Sequence, residues 1–147
     1  MSDTNDMRAM TRDINAFNEK LIEEFRANNG KVTGMFADSP LVLITHIGAK
    51  SGERRTSPLV YSLDAGRVVI IASKGGSPKD PHWYLNMKAN PRVTVELPGE
   101  TYEAMAVEAT GAERDRLFRA QADQMPNFDE YAAKTSRVIP VIVLERI

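Results

Sequence analysis

Apolar residues recur along the chain with two periods, and the periods mark its elements. Near the N-terminus Met7, Met10, Ile14, Phe17, Leu21, Ile22 and Phe25 fall at three- and four-residue spacing, which predicts an amphipathic helix ending near Asn28-Asn29-Gly30. Its apolar face has to be covered. Docking against the rest of the fold is the simpler reading; contact with a membrane surface, or a lid, is the alternative, although the charges of the segment are mixed rather than basic. Leu41 to Ile47 is a short β-branched run that suits a strand. A loop is predicted from Gly48 to Ser57, followed by strands over Leu59 to Leu63 and Val68 to Ser73 joined by a hairpin at Asp64-Ala65-Gly66.

Asp80 before Pro81 predicts a capped helix with proline in its first turn, and Asn90-Pro91 closes it, giving His82 to Ala89. Val93, Val95 and Leu97 alternate with Arg92, Thr94 and Glu96, and a second run from Thr101 to Glu108 follows Pro98-Gly99, a hairpin with one solvated face. Thr110 stands at capping-box spacing from Glu113, and the stripe Leu117, Phe118, Gln121, Ala122, Met125 extends a helix from about Gly111 to Gln124. A short helix over Asn127 to Thr135 and a strand over Val138 to Leu144 complete the chain, with Pro140 pointing to an edge or bulge. Six strands in neighbouring pairs lack the strand-helix rhythm of a parallel sheet, so the expected class is α+β: a mostly antiparallel barrel with peripheral helices.

At 147 residues and 42% apolar content the chain suits a single domain with a substantial core. A net charge of −1 gives no overall attraction to nucleic acid. The absence of cysteine excludes disulfides, thiolate metal sites and a cysteine nucleophile, so any redox chemistry has to come from a cofactor. No apolar run approaches the roughly 20 residues of a membrane span, and Met1 to Asp6 is polar and acidic, unlike a secretory signal. A cytoplasmic address is the expectation.

Charge changes the picture locally. Between Gly48 and Lys79, the six cations Lys50, Arg54, Arg55, Arg67, Lys74 and Lys79 face only Glu53 and Asp64, a local excess of +4. Gly48-Ala-Lys-Ser-Gly52 offers small residues for close backbone approach, a lysine point charge and a hydroxyl, and Arg54 and Arg55 offer forks for a phosphate. Lys74-Gly75-Gly76 repeats that chemistry. Solvated loop charges with turn glycines are the plain reading of either loop alone; two such loops at neighbouring strand ends favour an anion site. A triphosphate-binding loop is rejected, because its leading glycine is absent and no helix evidently follows. Trp83, Tyr84 and Asn86 could complete a pocket by stacking on a planar ligand, although Trp83 reads better as a plug for the barrel end. His46 and His82 have no partners at ligand spacing, so no metal is expected, and His46 reads as a hydrogen-bonded structural residue. Ser57 and Ser73 lack a base partner, against a serine hydrolase.

With these residues in view, the chain resembles the deazaflavin-dependent nitroreductase family of split β-barrel oxidoreductases. The resemblance runs from about Phe17 to the C-terminus. It is carried by Leu41 to Ile47 leading into Gly48-Ala-Lys-Ser-Gly-Glu-Arg-Arg-Thr-Ser-Pro-Leu59, by Ile71-Ala-Ser-Lys-Gly-Gly76, by Pro81-His-Trp-Tyr-Leu-Asn86 with Ala89-Asn-Pro91, and by Arg137-Val-Ile-Pro-Val. It implies coenzyme F-420, an 8-hydroxy-5-deazaflavin with an anionic phosphate and glutamyl tail, as hydride donor to a small organic acceptor: a quinone, an enone or a nitro compound. By the same resemblance Ala49, Lys50, Ser51 and Arg55, Thr56, Ser57, Pro58, Leu59 and Val60 surround the coenzyme, Ile71, Ala72, Ser73 and Lys74 line it, and His82, Trp83, Tyr84, Leu85 and Asn86 close the site. The acceptor would lie near Ser73 and the segment Met125 to Tyr131. Nitroreducing relatives carry tyrosines where this chain has Met125 and Phe128, which leaves Ser73 and Tyr131 as the expected acceptor-orienting or proton-donating groups. The N-terminal helix could then touch a membrane to reach lipid quinones. Two alternatives stay open: a non-catalytic carrier of lipid or cofactor on the same fold, and a flavin mononucleotide enzyme, whose site a dimer normally completes. The oligomeric state is not fixed by these residues.

Overall fold

The structure, a computed structural model, describes residues 3–147, with side chains from residue 15 onward. Helix α1 is Asp3–Ala27; the side chains of Met7, Met10 and Ile14, which the sequence reading placed on its apolar face, lie outside the described residues. Then follow β1 (Leu41–Ile47), β2 (Arg54–Val60), β3 (Ser62–Asp64), β4 (Arg67–Ile71), α2 (His82–Ala89), β5 (Arg92–Leu97), β6 (Glu100–Glu108), α3 (Gly111–Gln124), α4 (Asn127–Lys134) and β7 (Val141–Arg146). The strands form one sheet in the order β2-β1-β5-β6-β7-β4-β3, and every neighbouring pair is antiparallel. Only Tyr61 separates β2 at one edge from β3 at the other, so the same stretch of chain serves both edges and the sheet has to curl upon itself.

The α+β barrel with peripheral helices is as expected, with seven strands among the described residues rather than six. The predicted loop Gly48 to Ser57 is shorter, because Arg54 to Ser57 pairs with β1 despite its polar sequence. Pro58 is tolerated there because β2 is an edge strand, where a missing N–H costs no ladder bond. Pro140 does not mark an edge: β7 is central, between β6 and β4, and Pro140 precedes it, accepting a bond from the Ala72 N–H. The hairpin at Ala65 and Gly66 is present, both with left-handed φ.

Alternation assigns each strand residue to a layer. Val42, Ile44, Val68, Ile70, Ala72, Val93, Val95, Ala104, Ile142 and Leu144 pack inside the curl with Trp83, Tyr84 and Met87 of α2. Val69, Ile71, Val141 and Val143 face outward under Leu117, Phe118, Ala122 and Phe128 of α3 and α4. Leu41 and Leu43 lie under Leu21 and Phe25, so the described part of α1 docks on the barrel. Each fully buried aliphatic side chain contributes roughly 1.5–3 kcal/mol. Among the described residues no helix is long and apolar enough to cross a membrane.

Antiparallel pairing also fixes the rims. β1 and β4 run in the same direction, so the loop after β1, the segment 72–80 after β4 and α2, which leads into β5, all gather at one end of the barrel.

Candidate functional site

The first basic loop is a tight closed turn. The Gly48 N–H donates to the Glu53 carbonyl at 2.8 Å and the Gly52 N–H to the Gly48 carbonyl at 2.9 Å. A Cβ on Gly48 would stand 2.4 Å from Ser51 Oγ, so no larger residue fits this turn unchanged. Ala49, Lys50 and Ser51 are left exposed at its tip.

A buried polar chain ties this loop to α2. The Ala49 N–H donates to Asn86 Oδ1 at 2.9 Å, Asn86 Nδ2 meets His46 Nδ1 at 3.0 Å, and His46 Nε2 meets Ser57 Oγ at 2.9 Å. A backbone N–H can only donate, which sets the orientation of the Asn86 amide; its NH2 then donates to Nδ1, so the His46 proton sits on Nε2 and is given to Ser57. Burial, with the Arg55 guanidinium adding to it, pushes His46 down to about 4, which keeps the ring neutral. His46 is thus the hydrogen-bonded structural residue its sequence position suggested, and Ser57, expected to lack a histidine partner, has one; because Nε2 carries the proton and donates it, His46 is no base towards that hydroxyl.

Register separates the two arginines that the sequence reading paired as forks. Arg55 lies opposite His46 and shares the inner side of β2 with Ser57 and Leu59, whereas Arg54 lies opposite Ile47 on the outer side, with Thr56, Pro58 and Val60. Consecutive strand residues face opposite sides, so both cannot clasp one phosphate. Arg54 instead lines an outer cleft of about 570 Å³ with Thr45, Ile47, Arg92, Glu103 and Met105. Arg67 and Asp64 also leave the basic group. They sit at the opposite rim, bonded to each other and to Glu145 and Arg116, and those arginines hold the Asp64 carboxyl well below the usual carboxylate range. Of the remaining cations, Lys50, Lys74 and Lys79 belong to the loops of one rim and Arg55 to the start of β2 at the same rim. Among the described residues only Arg55 of these four has a carboxylate partner, Glu53 at 3.7 Å.

A match to a family model, described as F420H(2)-dependent quinone reductase, spans residues 19–146. The chain belongs to that family. An F420H(2)-dependent quinone reductase of Mycobacterium tuberculosis is 36% identical over 126 residues, covering 83% of this chain and 85% of the relative. A solved structure titled as an F420-H2 dependent reductase is 42% identical, with a TM-score of 0.67, covering 72% of this chain and 94% of that one. Another, titled as a domain-swapped dimer, is 36% identical with a TM-score of 0.69 and covers 98% and 100% of the two chains.

In this family member α2 divides the residues expected to close the site. Trp83, Tyr84 and Asn86 point into the barrel end and are buried, Trp83 in the plugging role expected of it, while His82 and Leu85 are exposed. Asp80 does not cap α2, whose N-cap is Pro81 without a side-chain bond; its carboxylate pairs instead with the guanidinium of Arg137 at 3.0 Å. Thr110 likewise makes no capping bond to α3. Ile71 faces α3 and α4, Ala72 faces the barrel interior, and Ser73 is buried at the head of a turn, Lys74–Gly76, in which Lys74 and Gly75 are exposed and Gly76 is buried.

That turn packs on α4. A Cβ on Gly76 would lie 2.8 Å from the Tyr131 carbonyl and 2.9 Å from Lys134 Cβ, so Ser73 and Tyr131 belong to touching elements. The Tyr131 hydroxyl accepts a bond from Asn127 Nδ2 at 2.8 Å, and its ring stands edge-on to Phe128 at 5.5 Å. Phe128 itself is core. Among the described residues no three His, Asp or Glu side chains converge as a metal site would require. Sequence reasoning missed the role of Arg137, whose only early signal was its place in the resembling segment Arg137-Val-Ile-Pro-Val, and missed the connection between His46 and Asn86, which is formed only by the fold.

Proposed function

We propose that this chain is an oxidoreductase that transfers hydride from reduced coenzyme F-420 to a small organic acceptor of the quinone class, with enones and nitro compounds as further acceptors. The observation that carries it, in a member of this family, is the pair of loops on one rim whose lysines lack carboxylate partners among the described residues. A group with a phosphate and carboxylates fits that donor set, and the open space beside Gly52 and Gly75 lets it approach the backbone closely. The packed barrel interior favours a ligand seated at the rim over a fatty acid held inside.

When bound, the coenzyme supplies the hydride-donating ring. The chain supplies binding, orientation and exclusion of water. In this reading Lys50, Arg55 and Lys74 hold the anionic part, with Ala49 and Ser51 at the loop tip. Ser57, Leu59 and Ala72 shape the inner wall, Ile71 anchors the end of β4 under α3 and α4 just before Ser73, and Thr56, Pro58 and Val60 fix the strand that presents the wall. His82, Trp83, Tyr84, Leu85 and Asn86 form the side closed by α2. Ser73 and Tyr131 orient the acceptor or deliver its proton; because the Tyr131 oxygen accepts from Asn127, its own hydrogen is free to be donated. A cytoplasmic address with peripheral membrane contact through α1 belongs to the same proposal; Phe17 of α1, 45% exposed, is an apolar side chain available for that contact, and Met35 in the turn after the helix is 79% exposed.

The test is turnover: purified protein, reduced coenzyme and menadione, followed by reoxidation of the coenzyme. Acceptor-dependent oxidation is expected. Binding without oxidation of the coenzyme by menadione, an enone or a nitro compound would favour a carrier, and binding of flavin mononucleotide in its place would favour the flavin alternative.

A further inference from the structure

We propose that Arg137 is a positioning residue for the coenzyme site, a buried template around which the second basic loop is wound. The inference rests on the coenzyme reading of that rim. Arg137 Nε donates to the Ser77 carbonyl at 2.8 Å, one terminal nitrogen to the Ala72 carbonyl at 3.1 Å and Asp80 Oδ1 at 3.0 Å, and the other to the Ser73 carbonyl at 2.7 Å. These acceptors span almost the whole connection from β4 to α2. The side chain is only 15% exposed, and Asp80 balances its charge.

The loop needs such a template. Lys74, Gly75 and Gly76 have φ of 46°, 61° and 83°, and a lysine in the left-handed region persists only where its surroundings hold it there. Turning the flanking carbonyls inward onto one planar cation fixes the backbone on both sides of the turn, while Ser73 is held at its head and Lys74 stays exposed at the rim. Arg137 lies just beyond α4, on which the turn packs, so the same guanidinium also sets the loop against the helix carrying Tyr131. A lysine cannot reproduce this, because one compact ammonium with three N–H donors does not serve four acceptors spread around a guanidinium.

Arg114 provides the structural comparison. It too is a largely buried arginine on a carbonyl, donating twice to Ile139 at 3.1 and 2.8 Å with its side chain 19% exposed, but it makes no described contact with the rim loops. The experiment measures melting temperature, the Kd of the oxidised deazaflavin by fluorescence, and the coenzyme KM and kcat for the wild type, Arg137→Met, Arg137→Lys and Arg114→Met. Both Arg137 variants should raise Kd and coenzyme KM by about tenfold, the lysine variant less than the methionine one, with kcat changed by less than about threefold. Arg114→Met should lower the melting temperature with Kd within about twofold of the wild type. If Arg137→Met does not fold, Arg137→Lys carries the comparison. A less stable Arg137→Lys with wild-type Kd would overturn the proposal and leave Arg137 merely structural. Failure of the wild type itself to bind the deazaflavin would instead bring down the coenzyme reading, and this inference with it.

Discussion

His46 stays neutral because burial, with Arg55 adding to it, pushes its pKa from 6.5 to about 4. Between those values the unfolded chain binds a proton that the folded protein does not, so unfolding takes up a proton and is favoured as pH falls. The contribution is complete above about pH 6.5 and is lost towards pH 4, at no more than roughly 1.4 kcal/mol per unit. In His46→Gln, urea midpoints should therefore vary less between pH 6.5 and 4.5 than in the wild type; equal slopes would show that another group titrates. Asp64, held low by Arg116 and Arg67, loses its contribution only at lower pH, below the ordinary carboxylate range. Gln121 is the opposite kind of residue. It is 1% exposed within the layer under α3, and neither amide atom has a partner among the described residues. An apolar replacement of similar size removes that desolvation cost, so Gln121→Met should gain about 1–3 kcal/mol and raise the melting temperature. A lower melting temperature would mean that the amide holds a partner such as a buried water.

The turn Lys74–Gly76 and helix α4 behave as one unit, and adjacent glycines test this. Both have left-handed φ, so alanine at either costs roughly 1 kcal/mol of backbone strain. An added Cβ on Gly75 meets nothing within 4 Å, whereas one on Gly76 meets the Tyr131 carbonyl at 2.8 Å. Gly76→Ala should therefore melt well below Gly75→Ala; equal melting would contradict the packing of the turn on α4. The elements legible from sequence were those marked by local chemistry: α2 between Pro81 and Asn90-Pro91, α3 after Thr110, and the hairpin at Ala65-Gly66. β2 was half missed because Arg54 to Ser57 is polar and leads into a proline, and its strand character comes from pairing with β1 rather than from its own pattern. The caps expected of Asp80 and Thr110 are not made; Asp80 is taken by Arg137, a tertiary partner that local rules do not see.

At the scale of the whole molecule, the antiparallel curl carries the basic loop after β1 and the loop after β4, far apart in sequence, to one rim. The charge excess was legible; its division was not. Arg67 and Asp64 went to the other rim, and Arg54 and Arg55 to opposite faces of β2, a consequence of strand period that only a recognised strand reveals. This division predicts unequal roles: Arg55→Ala should weaken deazaflavin binding by about tenfold and Arg54→Ala by less than about twofold, read by fluorescence titration. Equal losses would mean that both faces of β2 meet the coenzyme. The most direct test of the central claim, that the rim cations hold an anionic hydride donor, is the salt dependence of oxidised deazaflavin binding to the wild type and Lys50→Ala. Binding in the micromolar range that weakens with added salt, and weakens less steeply in Lys50→Ala from a poorer starting affinity, is the predicted result. Binding that is indifferent to both salt and Lys50→Ala would contradict it.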